Sequence, residues 1–239
     1  MKFNYASSST THVGNVRSHN EDSYLERADQ GLWVIADGMG GHDAGDFASQ
    51  LIIQTIKNFE LNPGSETFTE EVKSALYSVN NRLIELGEKH ERVNGSTVVA
   101  MMVNGNMCDF TWAGDSRLYQ LRDNQLVQLT KDHSQAEAYV DMGMLTPEEA
   151  STHVSSNLLT RCIGVDRDLQ LESGTCELKH NDRYLLSSDG LDKHVSIIDI
   201  EKTLNENQRD DALGQLVTMA LNDGGTDNIT ITIVDIMNQ

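Results

Sequence analysis

The hydrophobic pattern changes period several times along the chain. Phe3 to Val13 is rich in Ser and Thr and reads as a strand. Ser23–Glu26 and Leu32–Ala36 read as two more, joined by a turn around Asp29-Gln30-Gly31. Leu32-Trp33-Val34-Ile35-Ala36 is almost wholly apolar, as a strand buried on both faces is. The spacing then becomes helical. Ala48, Leu51, Ile52, Ile56 and Phe59 share one face, which predicts a helix over about 44–59. Val72, Ala75, Leu76, Val79, Leu83 and Leu86 predict a second over about 67–89.

A meander of short runs follows: 96–103, 107–113, 117–122 and 125–129. Asn104-Gly105, Gly114-Asp115 and Asp123-Asn124 separate them, as hairpin turns do. The segment 131–160 is polar and poor in strand formers, and reads as two short helices. Thr146-Pro147-Glu148-Glu149 starts the second, with Thr at the cap, Pro at the first position and Glu closing a capping box. This insertion is a candidate flap. Strands are expected again at 169–178 and 183–188, then helices at 197–205 and 210–221, and a last strand at 229–236. The only prolines, Pro63 and Pro147, each stand beside a predicted helix start, and no low-complexity linker or repeat occurs. One domain over 1–239 is expected. Helices and antiparallel strands come in blocks, which suggests stacked layers with sheets inside and helices outside.

Composition narrows the partners. The chain has 239 residues, 38% of them hydrophobic, enough for a sizeable core. Lys+Arg is 18 against Asp+Glu 37, a formal charge of −19. Nucleic acid is not expected as a partner, because phosphate contacts need a basic patch. Cys108, Cys162 and Cys176 are odd in number and lack metal-ligand spacing, and read as reduced intracellular thiols. Met1 to Thr11 lacks an apolar core of signal-peptide length, and no run approaches a membrane span. A cytoplasmic protein without membrane contact is expected.

The chemistry is carried by acidic punctuation beside the strand-like runs. In order the blocks are Arg17-x-x-Asn20-Glu21-Asp22, Asp37-Gly38-Met39-Gly40-Gly41, Gly114-Asp115-Ser116-Arg117, Ser188-Asp189-Gly190 and Asp227-Asn228-Ile229-Thr230. Singly, each Asp-Gly reads as a turn. Together, carboxylates brought to one rim repel unless cations separate them. Oxygen-only ligands suit Mg²⁺ or Mn²⁺.

This ordered set resembles the bacterial members of the type 2C (PPM) family of metal-dependent serine/threonine protein phosphatases, from about Ser9 to Val234. The resemblance implies an α+β fold: a four-layer α-β-β-α sandwich of two antiparallel sheets flanked by helices, with a small helical flap at about 131–160. It implies that Asp37 bridges two ions and that the Gly38 carbonyl ligates one. Asp189 and Asp227 would complete the first ion's shell, while Glu21 and Asp22 would act through waters on the second. Asp115, with Asp189, would hold a third, weaker ion. Arg17 would clamp the substrate phosphate, and Arg161 would meet phosphopeptide or an Asp side chain.

The implied reaction hydrolyses phosphoserine or phosphothreonine on proteins. A water bridging two Mn²⁺ or Mg²⁺ ions loses its proton readily, and the hydroxide attacks phosphorus in line. Charge neutralisation and positioning do the rest, with a bidentate guanidinium matched to phosphate oxygens. No Cys-x₅-Arg loop offers a thiolate nucleophile instead. Animal members carry His where this chain has Met39, so the proton donor is His42 or a metal-bound water. His133 reads as a loop anchor. Expected partners are phosphorylated proteins, among them a cognate Ser/Thr kinase and its substrates. The alternative is a catalytically silent pseudophosphatase of the same fold.

Overall fold

In the computed structural model, residues 3–40, 43–151 and 153–237 are described. Two antiparallel sheets face each other. The first has the order β1 (Asn4–His12), β11 (Ile229–Met237), β10 (Arg183–Ser187), β7 (Arg117–Arg122) and β8 (Gln125–Gln128). The second has the order β2 (Asp22–Arg27), β3 (Leu32–Met39), β5 (Val98–Asn104), β6 (Met107–Ala113) and β9 (Glu172–Glu177), with the two-residue β4 (Gly95–Ser96) also on β3.

Three apolar layers hold the stack together. Trp33, Ile35, Val99, Met101, Tyr184, Leu186 and Val234 fill the space between the sheets. On the outer face of the second sheet, Val34, Ala100 and Met102 meet Ile52 and Ile56 of α1 (Asp43–Asn58) and Val72, Leu76 and Leu83 of α2 (Phe68–His90). On the outer face of the first, Tyr119, Leu185, Ile231 and Ile233 meet Ile200 and Leu204 of α6 (Ile197–Glu206) and Ala212 and Leu216 of α7 (Arg209–Asn222). This is why Leu32–Ala36 of β3 and Val98–Val103 of β5 read as unbroken apolar runs: alternate residues serve different layers, and all of them are buried. Each fully buried aliphatic side chain contributes roughly 1.5–3 kcal/mol.

The helices between β8 and β9 are α3 (Gln135–Asp141) and α4 (Pro147–Ser151). The capping box forms as its residues predict. Glu149 N donates to Thr146 Oγ1 at 3.2 Å, and Thr146 N donates to Glu149 Oε2 at 2.8 Å. Asp123 and Asn124 turn β7 into β8 with φ of 52° and 63°, the geometry of a two-residue hairpin.

Three elements differ from the pattern. The strand expected at 169–178 begins only at Glu172, because Leu169 leaves the sheet to pack under α2. β3 runs on to Met39, so Asp37 lies inside a strand and not after it. A four-residue helix, α5 (Asp189–Asp192), follows β10 at once. It is too short to leave a periodic signature.

Candidate metal centre

Strand order brings the acidic blocks to one rim. β1 ends where β11 begins (His12 opposite Ile229), and β10 ends where β7 begins (Ser187 opposite Arg117). Across the sandwich, Asp22 at the start of β2 pairs with Asp37 near the end of β3. The rim carries a cavity of about 1050 Å³, lined by Arg17, Glu21, Asp37, Gly38, Asp115, Asp189, Lys193 and Asp227 among others.

Backbone and hydroxyl contacts fix these groups. Asp37 N donates to Thr97 Oγ1 at 3.1 Å, Thr97 N to Asp37 O at 2.8 Å, and Ser96 Oγ to Asp37 O at 2.9 Å. Gly38 N donates to Glu21 O at 3.1 Å, and Glu21 N to Asn228 Oδ1 at 2.8 Å. Asn228 Nδ2 also donates to the carbonyls of Val13 and His19, so one amide ties the first and last acidic blocks together. Gly38 is a necessity of space. A Cβ there would stand 2.1 Å from the carbonyl oxygen of Gly45 in α1. The helix start can approach the carboxylates only because that position has no side chain.

Two nominated residues are not among those lining the cavity. Asp22 is buried behind Asp37, where its Oδ2 accepts from Ser188 Oγ at 2.8 Å and Thr230 Oγ1 at 2.6 Å. Arg161 turns to Glu172 Oε2 at 3.3 Å, beside the His133 ring. His133 anchors its loop: its Nδ1 accepts from Gly114 N at 3.1 Å, which leaves the proton on Nε2, facing Glu172 Oε2 at 2.9 Å. Gly41 and His42 lie outside the described residues.

Pattern reading missed two groups. Lys193 bonds Asp189 Oδ2 and reaches Asp227 Oδ2 at 3.2 Å. Arg117, two residues after Asp115, joins Asp132 Oδ2 at 2.7 Å and Asp192 Oδ2 at 2.9 Å. The Asp192-Lys193 pair after Asp189-Gly190 was the available signal, but only the fold shows that α5 lies against Asp227. Arg17 holds Asp227 with both Nε (2.9 Å to Oδ1) and Nη2 (3.0 Å to Oδ2).

The electrostatics are those of a site short of positive charge. Burial, then the charges of Asp22, Asp189, Asp115 and Asp227, push the Asp37 carboxyl well above the usual range. Burial first, opposed by the Thr230 and Ser188 hydroxyls, takes Asp22 up to about 7. Burial and Asp189 take Asp115 up to about 7. Asp227 differs: burial raises it, but Arg17 and Lys193 together hold it below the ordinary value.

The donor set fits a hard cation. Asp22 Oδ1 and Asp189 Oδ1 are buried and find no hydrogen-bond partner among the described residues. An orphaned buried carboxylate oxygen is costly unless an ion or water meets it. Among the described residues no group of three His, Cys, Asp or Glu side chains is arranged to hold an ion alone. Asp189 and Asp227 are instead engaged by Lys193 and Arg17.

Comparison with known proteins agrees with this geometry. Residues 10–225 match the model of the Protein phosphatase 2C family, and the chain belongs to that family. It is 34% identical over 227 residues to the serine/threonine protein phosphatase PstP of Mycobacterium tuberculosis, covering 94% of this chain and 44% of that protein. The chain thus spans less than half the length of that relative. It is 33% identical to the protein phosphatase PhpP of Streptococcus pneumoniae, covering 96% of each. The solved catalytic domain of PstP in complex with two manganese ions superposes with a TM-score of 0.89 at 33% identity, over 99% of this chain and 100% of that one. The four-layer sandwich is therefore the fold of the Protein phosphatase 2C family. Among the described residues no helix is long and apolar enough to cross a membrane.

Proposed function

We propose that this chain removes phosphate from phosphoserine and phosphothreonine on proteins, using two Mn²⁺ or Mg²⁺ ions at the rim cavity and a third, weaker one. The observation that carries this is the convergence of Asp37, Asp189 and Asp227 on one cavity, with a buried Asp189 oxygen that has no partner among the described residues. Asp37 and the Gly38 carbonyl, with Asp189 and Asp227, would hold the core ions. Glu21 and Asp22 would support them through waters, and Asp115 with Asp189 would take the third. When bound, the ions would neutralise phosphate charge and acidify a water for attack.

The chain's own residues do the rest. Arg17 is half exposed at the cavity mouth, so its guanidinium can leave Asp227 for a phosphate, which it matches in shape and charge. Leu158, Leu159 and Cys162 give the cavity an apolar stretch of wall. Met39 also lines the cavity and has no proton to give, so the leaving alkoxide takes its proton from His42 or a water. The segment 131–160 serves as the flap of a single domain and selects substrate. Arg161 would contact substrate only if released from Glu172.

Phosphorylated proteins, including a cognate Ser/Thr kinase, are the fitting partners of such a site, in the cytoplasm where its three unpaired thiols stay reduced. The pseudophosphatase reading has no support, since the carboxylates it would lack are present. Phosphate release from a phosphothreonine peptide tests the proposal. Release should require Mn²⁺ or Mg²⁺, stop in excess chelator and fall at least about a thousandfold in Asp37→Asn. Full activity in chelator would contradict it.

A further inference from the structure

Lys193 sits between the two carboxylates that the metal reading most needs. It follows α5 directly, one helical turn after Asp189, and that spacing sets its ammonium on Asp189 Oδ2. From there it reaches Asp227 Oδ2 at 3.2 Å. Among the described residues it alone is ion-paired with both. Asp189 Oδ1, on the same carboxylate, is buried without a partner among the described residues. The protein therefore half-neutralises Asp189 with its own cation and leaves the other half open.

A divalent ion drawing on Asp189 and Asp227 must compete with this ammonium. Like charges a few ångströms apart repel strongly in a partly buried site, so ion and ammonium do not share the same oxygens. Lys193 has somewhere to go. Its side chain is 28% exposed and lines the cavity, so rotation of its flexible stem moves the charge away without moving backbone. Arg17 competes at Asp227, where it holds both oxygens, but it does not touch Asp189, so only Lys193 bears on both carboxylates.

We infer that Lys193 is a positioning residue that acts as a tethered counter-ion, holding Asp189 and Asp227 paired in the metal-free protein and exchanging with a divalent ion on loading. The inference rests on the metal reading above. Its consequence is a weakened ion affinity, so that activity follows the ambient divalent-ion level instead of being permanently switched on.

The test is titration of the whole chain with Mn²⁺ alone, followed by calorimetry, with melting temperatures measured in parallel. Lys193→Met keeps the apolar stem and removes the charge. It should tighten the Mn²⁺ dissociation constant by at least about tenfold. It should lower the metal-free melting temperature while leaving that of the Mn²⁺-saturated protein near wild type. Lys193→Gln, a second neutral variant, must show the same tightening, and Lys193→Arg must restore affinity close to wild type. Wild type that binds Mn²⁺ while both neutral variants bind no more tightly would overturn the role of Lys193 and leave the metal site standing. Wild type that takes up no Mn²⁺ would overturn the metal reading itself, and this inference with it.

Discussion

Asp22 and Asp37 lie directly opposite one another in the β2–β3 register, the first buried and the second lining the cavity, with their charges set against each other. Asp22 is held from behind by the hydroxyls of Ser188 and Thr230, so it cannot turn away. The pair is poor for stability and suited to a cation. Asp22→Asn should therefore act in two directions. The metal-free protein should gain about 1–3 kcal/mol at neutral pH, because a buried charge and its repulsion are lost. Mn²⁺ affinity should fall. Chemical denaturation with and without Mn²⁺ measures both, and a loss of stability in both states would count against this account.

The same carboxyls set the pH dependence. Asp22 and Asp115 are raised from 3.8 to about 7. The unfolded chain releases these protons near pH 4, while the native metal-free chain keeps them until about 7. Between those values the native state binds more protons, so stability falls as pH rises. The urea midpoint of metal-free protein should be higher at pH 5 than at pH 8. Mn²⁺ binding at pH 6 should release protons, visible as a dependence of the calorimetric heat on the buffer's ionisation enthalpy.

Arg117 neutralises two half-buried carboxylates, Asp132 and Asp192. Burial already drives Asp192 well above the usual carboxyl range. Arg117→Met should cost about 3–5 kcal/mol, since it leaves two carboxylates without a counter-charge. Adding Asp192→Asn should recover part of that loss, and a double-mutant cycle by urea denaturation gives the coupling.

Gly190 stands against the last acidic block. A Cβ there would lie 1.9 Å from the carbonyl oxygen of Asn228. Gly190→Ala must push Asn228 aside, and with it the amide that holds Glu21 and the loop carrying Arg17. Expected losses are about 1–3 kcal/mol in stability and a clear weakening of Mn²⁺ binding. Thermal melts with and without the ion check both.

Much of this was legible before the fold. The apolar runs of β3 and β5 and the stripes of α1 and α2 follow from periods that burial enforces. The acidic blocks could be read as one set because each adjoins a strand end, and strand ends of a sandwich gather at rims. Partnerships across the topology were not legible. Lys193 reads as a surface cation until α5 is seen beside Asp227. Asp22 looks equivalent to Glu21 until Ser188 and Thr230, far away in sequence, close over it. Arg161 reads equally as a substrate ligand and as a structural ion pair, and Glu172 within reach decides for the pair.

If the rim carboxylates form one divalent-ion centre, anomalous diffraction from crystals soaked in Mn²⁺ will show it. Two strong peaks should lie beside the Asp37 carboxylate, one of them reached by Asp189 and Asp227, with a weaker third near Asp115. Crystals that show no anomalous density at this rim, or only at surface carboxylates elsewhere, would contradict it.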